Sequence, residues 1–95
     1  MLTSKQRAKL KGIASTTDTI FQIGKGGIQD TLIKQVDDAI RVRELVKIKV
    51  LENSSYNAKQ AAEELAEKTG SEVVQVIGNK LVLYRKNIKE PVIEL

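Results

Sequence analysis

Gly24-Lys25-Gly26-Gly27 is the stretch of this chain best suited to hold a ligand. It follows a strand-like run over residues 19–23 and precedes a helix-like run that begins near Asp30. Three glycines in four positions let the backbone adopt φ > 0 and let a ligand reach main-chain N–H groups with no Cβ in the way. The start of the next helix adds unpaired N–H groups and the positive end of its dipole, and Lys25 adds a full charge. The loop is therefore a candidate seat for an anion, with phosphate the first to consider.

Named phosphate motifs do not fit. Gly24 and Gly26 begin a G-x-G-x-x-G, but Gln29 stands where the third glycine is needed, and Gly27-Ile28-Gln29 replaces the Gly-Lys-Ser/Thr of a Walker loop. What remains is G-x-x-G, a loop type that in some RNA-binding modules clamps a nucleic-acid backbone. Catalytic constellations are scarcer still. The chain has no histidine and no cysteine, so neither a Ser/His/Asp nor a Cys/His arrangement can be built, and a zinc site would rest on carboxylates alone. Asp37-Asp38 and Glu63-Glu64 are adjacent acids on helical segments and read as solvated residues, so no enzyme activity and no cofactor is expected.

Charge favours the same end of the sequence. The net charge is +4, but residues 1–49 carry ten Lys/Arg against five Asp/Glu, whereas residues 50–95 carry six against seven. A basic partner-facing surface should come from the first half. Lys5, Arg7, Lys9 and Lys11 lie on one short helix with no acid among the first fifteen residues. They would form a patch beside the glycine loop if that helix packs near the start of the second, with Arg41 and Arg43 extending it. Phe21, Tyr56 and Tyr84 are the only aromatic residues, too few for a stacking platform, so contacts with phosphates and 2′-hydroxyls are expected over base stacking.

Elements that position these residues follow from periodicity. Thr3 with Gln6 reads as a capping box for a helix over Ser4–Ala14, with Leu10, Ile13 and Ala14 as its apolar stripe. Leu32, Ile33, Val36, Ala39 and Ile40 mark a second core-facing helix. Residues 45–51 alternate Val46, Ile48 and Val50 against Lys47 and Lys49, the pattern of a half-buried strand. Asn57 with Gln60 caps a third helix running to Lys68, closed by Gly70, with Glu63, Glu64 and Glu67 outward. Residues 72–77 and 80–86 read as strands joined at Gly78-Asn79 by a two-residue turn. Residues 88–95, which contain the only proline, Pro91, read as a tail or a short edge strand beyond a domain over residues 1–87. The order α-β-α-β-α-β-β, with two right-handed crossovers and a hairpin, predicts a single α/β domain with a four-stranded mixed sheet covered by helices. No apolar run is long enough to span a membrane, so a cytoplasmic monomer with no small-molecule substrate is expected.

Several runs together resemble the CRM domain family, in particular its stand-alone bacterial YhbY-type members. These are Leu2-Thr3-Ser4-Lys5-Gln6-Arg7, Gln22-Ile23-Gly24-Lys25-Gly26-Gly27, Glu44-Leu45-Val46-Lys47-Ile48-Lys49-Val50, Ala62-Glu63-Glu64-Leu65-Ala66, and Val74-Gln75-Val76-Ile77-Gly78 followed by Val82-Leu83-Tyr84-Arg85. The resemblance implies a fold related to the C-terminal domain of a bacterial translation initiation factor. It also implies RNA binding through Gly24, Lys25, Gly26 and Gly27, with Lys5, Arg7 and Lys47 at matching basic positions. It further implies, for a free-standing chain, a role on ribosomal RNA in assembly of the large subunit, as against the intron splicing served by plant relatives. Ser15 and Arg43 stand where members often have histidine, and Asn53-Ser54-Ser55 lacks a basic residue often found there. The alternative is a protein-interaction adaptor on ribosomes or another assembly, docking through the acidic third helix or the tail.

Overall fold

The apolar periodicities resolve into seven elements in the computed structural model, which describes residues 2–95. They are α1 (Ser4–Ala14), β1 (Phe21–Ile23), α2 (Asp30–Arg43), β2 (Leu45–Val50), α3 (Ala58–Thr69), β3 (Glu72–Ile77) and β4 (Lys80–Tyr84). Helices α1 and α3 start at reciprocal caps. The Thr3 hydroxyl accepts the Gln6 N–H at 3.1 Å while the Gln6 amide oxygen accepts the Thr3 N–H at 3.0 Å, and Asn57 and Gln60 repeat the exchange. Gly70 ends α3 at φ 64°, the left-handed conformation glycine adopts without a Cβ penalty.

The sheet order is β1-β2-β4-β3. β1 runs parallel to β2, and β4 runs antiparallel to both of its neighbours, so it is inserted between two strands of like direction. Strand ends fall short of the sequence expectation where partners run out. Leu45 opens β2 and pairs with Tyr84, so residues 85–86 have no strand opposite them, and the Arg85 N–H donates instead to the Glu44 carbonyl at 2.9 Å. β1 keeps three residues of the expected five, although the Ile20 N–H still reaches the Lys47 carbonyl at 3.1 Å. Residues 88–95 form no strand.

Alternation along the strands makes two cores. On one face Ile23, Val46, Ile48, Val50, Leu81 and Leu83 pack against Val36 and Ile40 of α2 and Ala58, Ala61, Ala62 and Leu65 of α3. The small residues of α3 bring that helix close to the sheet. On the other face Leu45, Val74, Val82 and Tyr84 pack against Leu10 and Ala14 of α1. A helix burying only two side chains completely covers only part of a sheet face. The strand ends that receive the glycine loop lie past its C-terminus.

The opposite end of the sheet is closed by charge. Glu44, fully buried at φ 65° after α2, accepts the N–H groups of Asn87, Val92 and Ile93 at 2.7, 2.6 and 2.5 Å. Burial pushes its carboxyl up, but the three N–H donors and the Lys86 charge outweigh it and hold the group below the ordinary carboxylate range. The tail is thus strapped to the fold, with Ile93 packed on the α1 core.

Candidate functional site

The Gly27 N–H donates to the Gly24 carbonyl at 3.0 Å, which folds the glycine motif into a tight turn with Lys25 and Gly26 exposed at its tip. The three glycines answer to different demands. Gly27 has φ 69°, and a Cβ there would meet the Tyr56 ring at 3.3 Å, so the fold itself requires glycine. A Cβ on Gly24 would make ordinary contacts with Asn53 and Leu51 at 3.5 Å, and one on Gly26 would meet only the Gln29 amide at 3.5 Å. Neither position has a positive φ. The protein's own packing leaves room for side chains at Gly24 and Gly26.

The loop opens into a shallow hollow lined by Gln22, Gln29, Thr31, Leu32 and Gln35 as well as by the glycines. Here α2 is preceded by Gln29 at its N-cap position, whose side chain makes no cap but turns back to the Gly26 carbonyl at 3.2 Å. Of the three helices, only this one presents its first-turn N–H groups without a side-chain cap, beside a lysine. Asp30 in the same turn limits how positive the hollow is. Tyr56 braces the loop from behind, its hydroxyl 3.3 Å from both carboxylate oxygens of Glu64. Burial, with the Glu64 charge and hydrogen bond, raises its pKa, so the phenol is neutral.

The basic residues expected to flank the loop are divided by the fold. α1 packs on β2 and β3, on the face opposite α2, and runs from the tail end of the sheet towards the loop end. The Arg7 guanidinium is half-buried and donates to the Val73 and Val74 carbonyls, the latter at 3.1 Å. Lys9 donates to the Glu94 carbonyl, and Lys5 lines the same hollow as Lys9 and Leu95. Only Lys11, on the last turn, approaches the loop end. There it shares a groove with Lys47, whose ammonium donates to the Ala14 carbonyl at 3.0 Å, and with Lys80. Arg41 sits at the other end of α2 from the loop and pairs with Asp38. Arg85 takes up Asp37 at 2.6 Å. Asp37 and Asp38 are thus each held by an arginine, and no cluster of three or more metal-ligating side chains occurs among the described residues.

The sequence alone marks Lys80 as the start of a strand after the hairpin and Gln22 as part of the strand leading to the loop, and gives neither a functional signal. Alternation placed Lys47 and Lys49 on the outer face, and the same rule applied across the strand pairing would have added Lys80.

Comparison with known proteins agrees with this architecture. The family model for the CRS1 / YhbY (CRM) domain matches residues 2–85. A Bacillus subtilis protein named "Probable RNA-binding protein YqeI" is 43% identical over 95 residues, spanning 100% of this chain and 99% of its own. A Haemophilus influenzae protein named "RNA-binding protein" is 30% identical over 84 residues, 88% of this chain and 85% of its own. The solution structure of a hypothetical protein from Staphylococcus aureus superposes with a TM-score of 0.74 at 47% identity, covering 100% of this chain and 99% of that one.

Proposed function

The chain belongs to the CRS1 / YhbY (CRM) domain family, and from that premise we propose that it is a non-catalytic RNA-binding protein whose glycine turn rests against the sugar-phosphate backbone. One observation carries the reading: Gly24 and Gly26 have space for a Cβ and no positive φ, so the missing side chains serve something outside the fold. Backbone N–H groups of the turn and of the uncapped α2 start would face a phosphate, and Lys25 and Lys11 would hold it electrostatically. Lys47 serves both the fold, through Ala14, and the electropositive end of the sheet. Arg7, Lys5 and Lys9 contribute at longer range from further along α1. Relatives that carry RNA-binding names support RNA as the partner.

With no aromatic platform, the protein reads shape and backbone, which suits structured RNA, and the family resemblance points to ribosomal RNA of a large-subunit precursor in the cytoplasm. Ultraviolet crosslinking of the tagged protein in cells, followed by sequencing of the attached RNA, tests this. Signal concentrated on large-subunit ribosomal RNA is expected, and signal on introns would overturn the ribosomal assignment. Signal no higher than that of a Lys25→Gln/Gly26→Asp variant would overturn the loop assignment. Association that survives nuclease and depends on Glu63, Glu64 and Glu67 would replace RNA with a protein partner.

A further inference from the structure

We infer that the RNA path does not end at the glycine turn but continues across the open end of the sheet face, over a row made by Gln22, Lys49 and Lys80. This inference rests on the RNA-binding reading above. It is carried by strand register. Gln22 of β1 pairs with Lys49 of β2, Lys49 pairs with Lys80 of β4, and Lys80 pairs with Ile77 of β3. Directly opposed residues project from the same face. Their sequence neighbours Ile23, Val50 and Leu81 point into the α2–α3 core, so this row must lie on the α1 face.

On that face α1 stops short. Its last buried residue, Ala14, packs with the next row inward, where Lys47 opposes Val82 and Val82 opposes Gln75. Beyond its end lies a groove lined by Lys11, Ser15, Lys47, Gln75, Ile77 and Lys80. Gln22 lines the glycine-loop hollow as well as standing in the row, so the two surfaces are continuous.

Charge states what covers this face. Like charges directly opposite one another, as Lys49 and Lys80 are, destabilise a sheet. Among the described residues no carboxylate pairs with Lys11, Lys49 or Lys80, whereas Arg41 and Arg85 are each matched to an aspartate on α2. A run of opposed, unneutralised lysines without an aromatic side chain fits a polyanion held by its phosphates. Strands about 4.8 Å apart set the row from Gln22 to Lys80 at about 10 Å, long enough for more than one phosphate. Ile77, 60% exposed at the far end of the row, offers an apolar contact to a ribose or base.

The experiment is a salt titration of binding to a fragment of large-subunit ribosomal RNA by the intact chain, by Lys49→Gln/Lys80→Gln, and by a charge-matched control, Lys68→Gln/Lys89→Gln, placed away from this face. Losing two phosphate contacts should lower the slope of log K against log salt by about 1.4–1.8 and weaken binding about tenfold or more at 0.1 M salt. The control should keep the slope. Equal effects of the two doubles would reduce the row to net charge and overturn the inference, as would an unchanged Lys49→Gln/Lys80→Gln slope. If the intact chain shows no salt-dependent binding, the RNA-binding reading itself fails. Should the double variant not fold, amide shifts of Gln22, Lys49 and Lys80 in the unmodified chain on adding the RNA replace it. Shifts at all three support the path, and shifts limited to residues 24–31 overturn it.

Discussion

The two ends of the sheet use charge in opposite ways. At the tail end key charges are taken up by the fold: Glu44 takes three backbone N–H groups, Arg7 donates to β3 carbonyls, and Arg85 joins Asp37 to the Thr69 carbonyl. At the loop end Lys25 sits at the tip of a turn, Lys49 faces Lys80, and two glycines stand where side chains would fit. Charges satisfied internally are explained by stability. Those left unsatisfied, at some cost to it, are where the proposed RNA partner would act. The same contrast separates Gly27 from Gly26, one position apart in a single turn.

Variants should therefore divide by end. The largest effect on folding is expected at Glu44, where Glu44→Ala removes the acceptor for three buried or half-buried donors and should lower stability by about 3 kcal/mol in urea unfolding. A loss below about 1 kcal/mol would mean the tail is not held by this carboxylate. The same group sets an acid limit. Because its folded pKa lies below the ordinary value of 4.5, its contribution is complete above that value and is lost as pH falls through the folded pKa. The unfolding midpoint should decline across that acid range, and Glu44→Gln should flatten the decline. An identical acid limb in the variant would assign it to other carboxylates. Next in size, Gly27→Ala places a side chain at φ 69° against the Tyr56 ring and should cost about 1–2 kcal/mol. Smallest is Tyr56→Phe, which keeps the ring against Gly27 and loses only the Glu64 hydrogen bond. A fall of about 2–4 °C in the thermal midpoint is expected.

Much of the fold was legible because local rules and tertiary packing agree. The Thr3/Gln6 and Asn57/Gln60 caps, the Gly70 stop and the Gly78-Asn79 hairpin lie where their residue types require them. The place of β4 between β2 and β3 was not legible, since alternation marks which face a strand buries but not its neighbour. That hidden pairing is what brings Lys80 beside Lys49. Glu44 escaped for a related reason. Its partners are more than forty residues away, and nothing local distinguishes a glutamate at a helix end from a solvated one. That Lys5, Arg7, Lys9 and Lys11 share one helix was legible, but where each leads depends on the packing face, which separates Lys11 from Lys5, Arg7 and Lys9.

Gly26→Asp tests the central claim most directly, with RNA affinity and thermal unfolding measured on the same preparation. The exposed turn tip should tolerate the change, with the midpoint held within about 3 °C. A carboxylate against the phosphate path should weaken binding to ribosomal RNA by about tenfold or more. Undiminished affinity would contradict the account, and so would a loss of folding that matches the loss of binding, for Gly26 would then be a glycine the turn itself requires.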